Sequence, residues 1–255
     1  MASSRETSGV QSLSRAFDLL ERLAEANGSL TLSELATSTR LPLPTIHRLL
    51  RTLTSGGYVR REPSRRYALG AGLIRLGDVA SRSLSVWAMP HLRELVSEIG
   101  ETANLAMLEG DTAVYVAQVP SAHSMRMFTE VGRRVMPHCT GVGKVLLAQL
   151  DDVDVYAILG RTGLPALTEN TITTASLLVN ELHRIREQGY GVDEGEMELG
   201  VRCVAVAVSG APGNVAVSVS GPSGRLTEAR VLDIVPVLQR VATQLGRDLP
   251  SASPA

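Results

Sequence analysis

Seven arginines fall between residues 40 and 66, at positions 40, 48, 51, 60, 61, 65 and 66, against a single acid, Glu62. Guanidinium groups at that density suit a polyanion, because each offers paired donors to phosphate oxygens. A solvated surface would carry the same charges, so the surrounding pattern has to decide. A second chemical feature lies further on. Pro137-His138-Cys139-Thr140-Gly141-Val142-Gly143-Lys144 leads into the apolar run Val145 to Leu150, which puts the backbone N–H groups near Gly141 and Val142 at a helix N-terminus. Unsatisfied donors and the positive end of the helix dipole favour a carboxylate there. It is not a nucleotide-phosphate loop. The pattern GxxxxGK[ST] needs glycine where His138 stands and Ser or Thr where Val145 stands.

Periodicity supplies the elements that must hold the arginines. Val10, Leu13, Phe17, Leu20 and Ala24 recur at helical steps, and Asn27-Gly28 ends that helix. Thr31-Leu32-Ser33-Glu34 has the form of a capping box, opening a short helix that buries Leu32, Leu35 and Ala36. Leu41-Pro42-Leu43-Pro44 interrupts, and a third helix is predicted from about Pro44 to Ser55. Ile46, Leu49, Leu50 and Leu53 form its inner face, leaving Thr45, His47, Arg48, Arg51 and Thr52 outside. Gly56-Gly57 stops it. Strands over Tyr58–Arg61 and Arg65–Leu69 then flank Glu62-Pro63-Ser64, a basic hairpin carrying Arg60, Arg61, Arg65 and Arg66. This order describes a winged helix-turn-helix on double-stranded DNA, with the third helix in the major groove and the wing along the backbone or minor groove. Thr45, His47, Arg48, Arg51, Arg60, Arg61, Arg65 and Arg66 are the candidate DNA contacts. An aromatic content of 3 % argues against a single-strand or RNA reader that stacks bases.

The whole chain has 255 residues, 44 % hydrophobic and 20 % charged, which is globular rather than disordered and enough for two ordinary domains. The net charge of -1 conceals an asymmetry: residues 1–78 carry 11 arginines and 7 acids, the remainder 14 bases and 19 acids. Lys144 is the only lysine. Two cysteines, Cys139 and Cys203, exclude a disulfide framework and make a zinc module untenable. The Met-Ala-Ser-Ser-Arg start has no apolar run behind it, and no stretch approaches a membrane span. A cytoplasmic location is therefore expected.

Beyond residue 85 a helix is expected to Ile99, with Pro90 in its first turns, followed by strands over Glu101–Leu108 and Thr112–Val119 joined by Glu109-Gly110-Asp111. Arg202–Val208 and Val215–Ser220 form a second hairpin around residues 210–214, and helices are expected over about 141–150, 174–188 and 227–246. That mixture is an α+β domain on an antiparallel sheet. If Val208 pairs with Val215, Ala205 faces Ser218 and Cys203 faces Ser220. One face then carries Val204, Val206, Val208, Val215, Val217 and Val219 and is core. The other carries Cys203, Ala205, Ala207, Ala216, Ser218 and Ser220, which suits either a small ligand or a tightly packed helix.

Val10-Gln11-Ser12-Leu13-Ser14-Arg15-Ala16-Phe17-Asp18-Leu19-Leu20, Leu32-Ser33-Glu34-Leu35-Ala36, Arg48-Leu49-Leu50, Gly57-Tyr58-Val59, Tyr67-Ala68-Leu69-Gly70 and Leu73 resemble IclR-type transcriptional regulators. The resemblance runs along nearly the whole chain. It implies a winged helix-turn-helix domain (1–70), a linker helix (71–84, with Leu73, Leu76, Ala80 and Leu84 on one face), a GAF-like effector-binding domain (85–250) and a tail (251–255). It also implies a homodimer or dimer of dimers. Gly141, Val142, Asp193, Cys203, Ser218 and Ser220 are similar to the pocket of family repressors acting in allantoin and glyoxylate metabolism. In that pocket the helix amides would take a carboxylate. Asp193, in an expected turn over Gly191-Val192-Asp193-Glu194, would accept from a hydrated aldehyde or ureido N–H, with Met125, Met127 and Val142 as an apolar wall. Cys139 departs from the alanine of many relatives, which would trim the pocket.

An enzyme is not expected. His91, His123, His138 and His183 are scattered, and no HExxH, GxSxG or CxxC pattern occurs. A Cys203–His138 nucleophilic pair is the one arrangement to consider. No metal or cofactor is called for. The expected activity is repression of allantoin and purine catabolism genes, relieved by allantoate or glyoxylate. The alternative is an IclR-type repressor or activator of another pathway sensing a different small or aromatic acid.

Overall fold

The computed structural model describes residues 10–26, 28–127, 130–211 and 213–248, with the backbone alone at 81–84. Asn27, the Leu84 side chain, Pro212 and the tail 251–255 lie outside the described residues. The chain divides into two compact units between Ala80 and Ser81.

The first unit begins with α1 (Gln11–Glu25), β1 (Ser29–Leu30), α2 (Leu32–Thr39) and α3 (Leu43–Ser55). It continues with β2 (Val59–Arg61), β3 (Tyr67–Leu69) and the start of α4 (Gly72–Ser85). The capping box is complete: Thr31 Oγ1 accepts from Glu34 N, and Glu34 Oε2 accepts from Thr31 N at 2.7 Å. Helix α3 buries Ile46, Leu49, Leu50 and Leu53, as its periodicity predicts. The hairpin adds a strand the sequence did not announce, since β1 pairs with β3 through Ser29–Ala68 and Leu30–Tyr67.

Helix α1 differs from the sequence reading. Its core contacts come from Leu19 and Leu23, with Ala16 and Leu20 beside them. Val10, Leu13 and Phe17 are instead 69 %, 55 % and 58 % exposed. The helix carries two apolar stripes, and only tertiary packing decides which faces inward. Ile74 and Val79 of α4 are also largely exposed.

The second unit contains α5 (Ala88–Ile99), β4 (Thr102–Glu109), β5 (Thr112–Val119), β6 (Arg134–Val135), a single 3-10 turn (Pro137–Cys139), α6 (Gly141–Ala148) and α7 (Asp152–Thr162). It ends with α8 (Ala175–Gln188), β7 (Gly191–Glu194), β8 (Val201–Ala207), β9 (Val215–Pro222) and α9 (Glu228–Asp248). Its antiparallel sheet has the order β6-β5-β4-β9-β8-β7. The valine face of β8 and β9 packs with residues of α5 and α9, and the small-residue face with residues of α6, α7 and α8. The hairpin register is the one the alternation implies, Ala205 opposite Ser218 and Cys203 opposite Ser220. Gly191–Glu194 is not a turn. It is the edge strand β7, pairing Asp193 with Cys203. Among the described residues no helix is long and apolar enough to cross a membrane.

Replacing Thr31 by Ala removes the oxygen that caps α2. The first unit should lose about 1 kcal/mol, read as a lower denaturant midpoint with an unchanged slope.

Candidate functional site

On the first unit, His47, Arg48 and Arg51 lie on the exposed side of α3, with Thr45 half-buried beside them. Arg60, Arg61 and Arg65 are exposed on the hairpin. Helix and hairpin share a hollow of about 350 Å³ lined by His47, Arg51, Thr54, Ser55, Arg61 and Tyr67. Arg61 stands 5.9 Å above the Tyr67 ring, which holds the guanidinium against the wing. Arg60 pairs with Glu62 at 3.1 Å. Arg66 differs from the others. Its Nε donates to Ser29 Oγ and an Nη to the Ser29 carbonyl, and it pairs with Glu34. It thereby ties the wing to the start of α2.

On the second unit, strand pairing sets out two polar rows across the inner sheet face. Directly paired residues of antiparallel strands share a face. The first row reads Asp193, Cys203, Ser220, Thr102. The second reads Gly191, Ala205, Ser218, Asn104, Gln118. Gln118 Nε2 donates to Asn104 Oδ1 at 2.9 Å, and Asn104 Nδ2 to Ser220 Oγ at 3.4 Å. Among the described residues Ser218 Oγ is buried without a hydrogen-bond partner of good geometry, with the Cys203 thiol beside it. A hydroxyl in that condition costs free energy that a ligand would recover.

The N-terminus of α6 comes down on this face. Thr140 caps it, its Oγ1 accepting from Gly143 N at 3.1 Å, which leaves the amides of Gly141 and Val142 without a helical acceptor, that of Val142 directed at the Cys203 sulfur. A Cβ on Gly141 would lie 3.0 Å from Cys203 Sγ and 3.1 Å from the Cys203 carbonyl oxygen, so a larger residue would have to push the helix or the strand back by a few tenths of an ångström. Val142 N faces the Cys203 sulfur. Gly141, Val142, Asp193, Cys203, Ser218 and Ser220 are therefore brought together, and all are buried. Burial pushes the Cys203 thiol up to about 11 and the Cys139 thiol to about 12, so both are neutral thiols.

Asp193 is buried as well. Its Oδ1 accepts from Glu196 N at 2.7 Å, and among the described residues no cation pairs with it. Desolvation pushes its carboxyl up to about 7, against the hydrogen bond from Glu196 N, which lowers it; the nearby Glu196 carboxylate adds to the rise. Lys144, 1 % exposed, is engaged by Glu196 and lies 3.8 Å from Glu181. That pair fastens α6 to α8 and to the loop after Asp193.

Several residues escaped the sequence reading. Asn104, Thr102 and Gln118 become visible only through register, although Thr102 and Asn104 do alternate with Ala103 and Leu105. Tyr115 faces Cys203 and Asp193, and burial raises its phenol well above the usual range. The expected Met125–Met127 wall is divided. The Met127 carbonyl accepts from Thr102 Oγ1 at 3.2 Å, at the end of the first row, while the exposed Met125, together with Met127, lines a groove with Leu199 and Pro222. A further cleft of about 460 Å³ opens beside the edge strand, where Tyr190, Val192, Glu194 and Glu228 line it.

His138 is not paired with Cys203. Its Nε2 meets the Pro165 carbonyl at 3.1 Å, and burial lowers its pKa. Among the described residues no group of three or more His, Cys, Asp or Glu side chains is placed to hold a metal.

Residues 12–63 match the IclR helix-turn-helix domain, and residues 78–247 the C-terminal domain of bacterial IclR transcriptional regulators. The chain belongs to the IclR family. It is 37 % identical over 252 residues to the transcriptional repressor IclR of Escherichia coli K12, covering 96 % of this chain and 92 % of that one. It is 33 % identical over 253 residues to the repressor AllR of Salmonella typhi, covering 96 % and 93 %. The crystal structure of Thermotoga maritima IclR superposes with a TM-score of 0.70 at 30 % identity, over 94 % of this chain and 99 % of that one. IclR-family proteins are transcriptional regulators, not enzymes, and join a DNA-binding helix-turn-helix to an effector domain.

The raised Asp193 pKa has a stability consequence. Between about pH 4 and 7 the folded chain holds a proton that the unfolded chain has released, so stability falls as pH rises through that window. A shift from 3.8 to about 7 corresponds to roughly 4 kcal/mol. Asp193→Asn should flatten the melting-temperature profile across this range. A profile as steep as that of the unsubstituted protein would contradict the assignment.

Proposed function

We propose that this IclR-family protein represses genes of allantoin and purine catabolism and leaves its operator when a small acid, allantoate or glyoxylate, fills the effector domain. The observation that carries the reading is the buried polar cluster under the α6 N-terminus, where, among the described residues, Ser218 Oγ lacks a hydrogen-bond partner beside two amides with no helical acceptor. In this reading Gly141 and Val142 amides take the carboxylate. Asp193, Cys203, Ser218 and Ser220 hold the remaining polar atoms, and Val142 and Tyr115 close the site. Thr45, His47, Arg48 and Arg51 face the major groove. Arg60, Arg61 and Arg65 lie along the backbone or minor groove, and Arg66 positions the wing they sit on.

The protein acts as a homodimer or dimer of dimers. The exposed stripe Val10, Leu13 and Phe17 and the exposed Ile74 and Val79 are the surfaces that another copy would cover. Release requires the effector to bind the DNA-free form more tightly than the DNA-bound form, since equal affinities shift nothing.

Two sets of variants separate the two halves of the proposal. Arg48→Ala with Arg51→Ala should weaken operator binding and reduce its salt slope by about two, with effector binding retained. Ser218→Ala should still bind DNA but no longer be released by the acid. In a thermal-shift panel, a specific acid at 100 times its Kd adds about 2.7 kcal/mol of stability. A shift with allantoate or glyoxylate that Ser218→Ala loses supports the pathway. A shift with aromatic acids alone keeps the regulator and discards the pathway.

A further inference from the structure

We propose that the effector site takes up its acid together with one proton, bound at Asp193, and so selects ligands that carry a single ionised group. This rests on the effector-site reading above and adds to it a charge rule.

Asp193 is surrounded by groups from several elements. Its own loop contributes Glu196, and α6 contributes Lys144. Residues of the 3-10 turn and of β5 and β8 add Cys139, Tyr115 and Cys203, all held neutral by burial. From β9 come only the Ser218 and Ser220 hydroxyls, and His138 beside Lys144 is kept neutral by burial. Among the described residues the one cation near Asp193 is already engaged, because Lys144 pairs with Glu196 and, more distantly, with Glu181 of α8. Glu181, only partly buried, is itself paired with Arg184 at 2.6 Å, so the buried side chains supply one positive charge, Lys144, against Asp193 and Glu196.

A carboxylate seated on the Gly141 and Val142 amides places another negative charge in the same buried space. The helix N-terminus offsets about half a unit charge. Two carboxylates in one poorly solvated site do not both stay ionised. The ligand enters as its monoanion, one proton comes from solvent, and Asp193 becomes a neutral carboxylic acid. No bond other than that O–H forms. With its carboxyl already pushed up to about 7 by burial, Asp193 takes this proton readily near neutral pH. Protonation also changes what Asp193 recognises. An ionised carboxylate only accepts, whereas the acid donates, so the O–H would reach a carbonyl or other acceptor beside the ligand's carboxylate. A dicarboxylate would bring a second charge towards Asp193 and require a second proton.

The test is calorimetry of the full-length protein with glyoxylate and with allantoate at about pH 7.5, in phosphate and in Tris, whose ionisation heats differ. Uptake approaching one proton per site is expected, with Kd weakening up to about tenfold per unit above that pH. Oxalate at pH 8 should bind at least about tenfold more weakly than glyoxylate, each extra unit of unpaired buried charge being costly. Asp193→Asn should bind without proton uptake and with a Kd that no longer follows pH. If that variant does not fold, the pH profile of the unsubstituted protein and the oxalate comparison decide. Binding with identical heats in both buffers and a flat profile from pH 6.5 to 8.5 overturns the charge rule alone. Proton uptake that persists in Asp193→Asn also overturns it. Absence of binding by both acids overturns the effector-site reading, and the charge rule with it.

Discussion

Helix α6 can reach the sheet only where side chains are absent or very small. A Cβ on Gly141 would sit 3.0 Å from Cys203 Sγ, and one on Gly191 would sit 2.8 Å from Val145 Cγ2. Ala106, Ala205 and Ala216 complete a floor on which larger residues would hold the helix away. That close approach brings the first amides of α6, which have no acceptor within the helix, onto the polar rows of β7, β8 and β9. The small-residue face therefore serves packing and polarity at once. Its alanines receive the helix, and its serines and cysteine lie where the helix begins.

The same constraint explains the buried lysine. A helix fixed by glycine contacts at one end needs its direction fixed as well, and Lys144 supplies this through Glu196 and Glu181. Such a pair is costly to desolvate and contributes little net stability, but removing one partner would leave a buried charge. Because Glu196 N also donates to Asp193, the ion pair, the loop and the acid share one network. A change in charge at Asp193 is consequently felt by both the loop and α6.

The parts of this arrangement that depend on local chemistry were legible in the sequence. The Thr31–Glu34 box, the inner face of α3 and the β8–β9 register all follow from spacing within a few residues. The parts that depend on partners were not. Phe17 and Leu19 lie on neighbouring stripes of α1, and both stripes are periodic enough to be core. Gly191 and Asp193 are turn-prone residues, yet β8 offers a free edge and draws them into a strand. The run Asp152–Thr162 opens with strand-like alternation at Val153 and Val155 and contains Gly160, so its helix does not stand out. In the candidate site, Gly141, Cys203, Ser218 and Ser220 were visible through alternation and the helix start. Asn104, Tyr115 and the partners of Lys144 come from strands and helices far away in sequence, and only pairing across the sheet reveals them.

The central claim is that a carboxylate sits on the α6 amides and faces Asp193 across the polar rows. The most direct measurement is a crystal structure of the protein grown with glyoxylate or allantoate. The account predicts a carboxylate accepting from Gly141 N and Val142 N at about 2.7–3.2 Å, with the ligand's other polar atoms at Asp193 and Ser218. A ligand seated instead in the cleft beside Tyr190 and Glu228, or one whose carboxylate points away from α6, would contradict it.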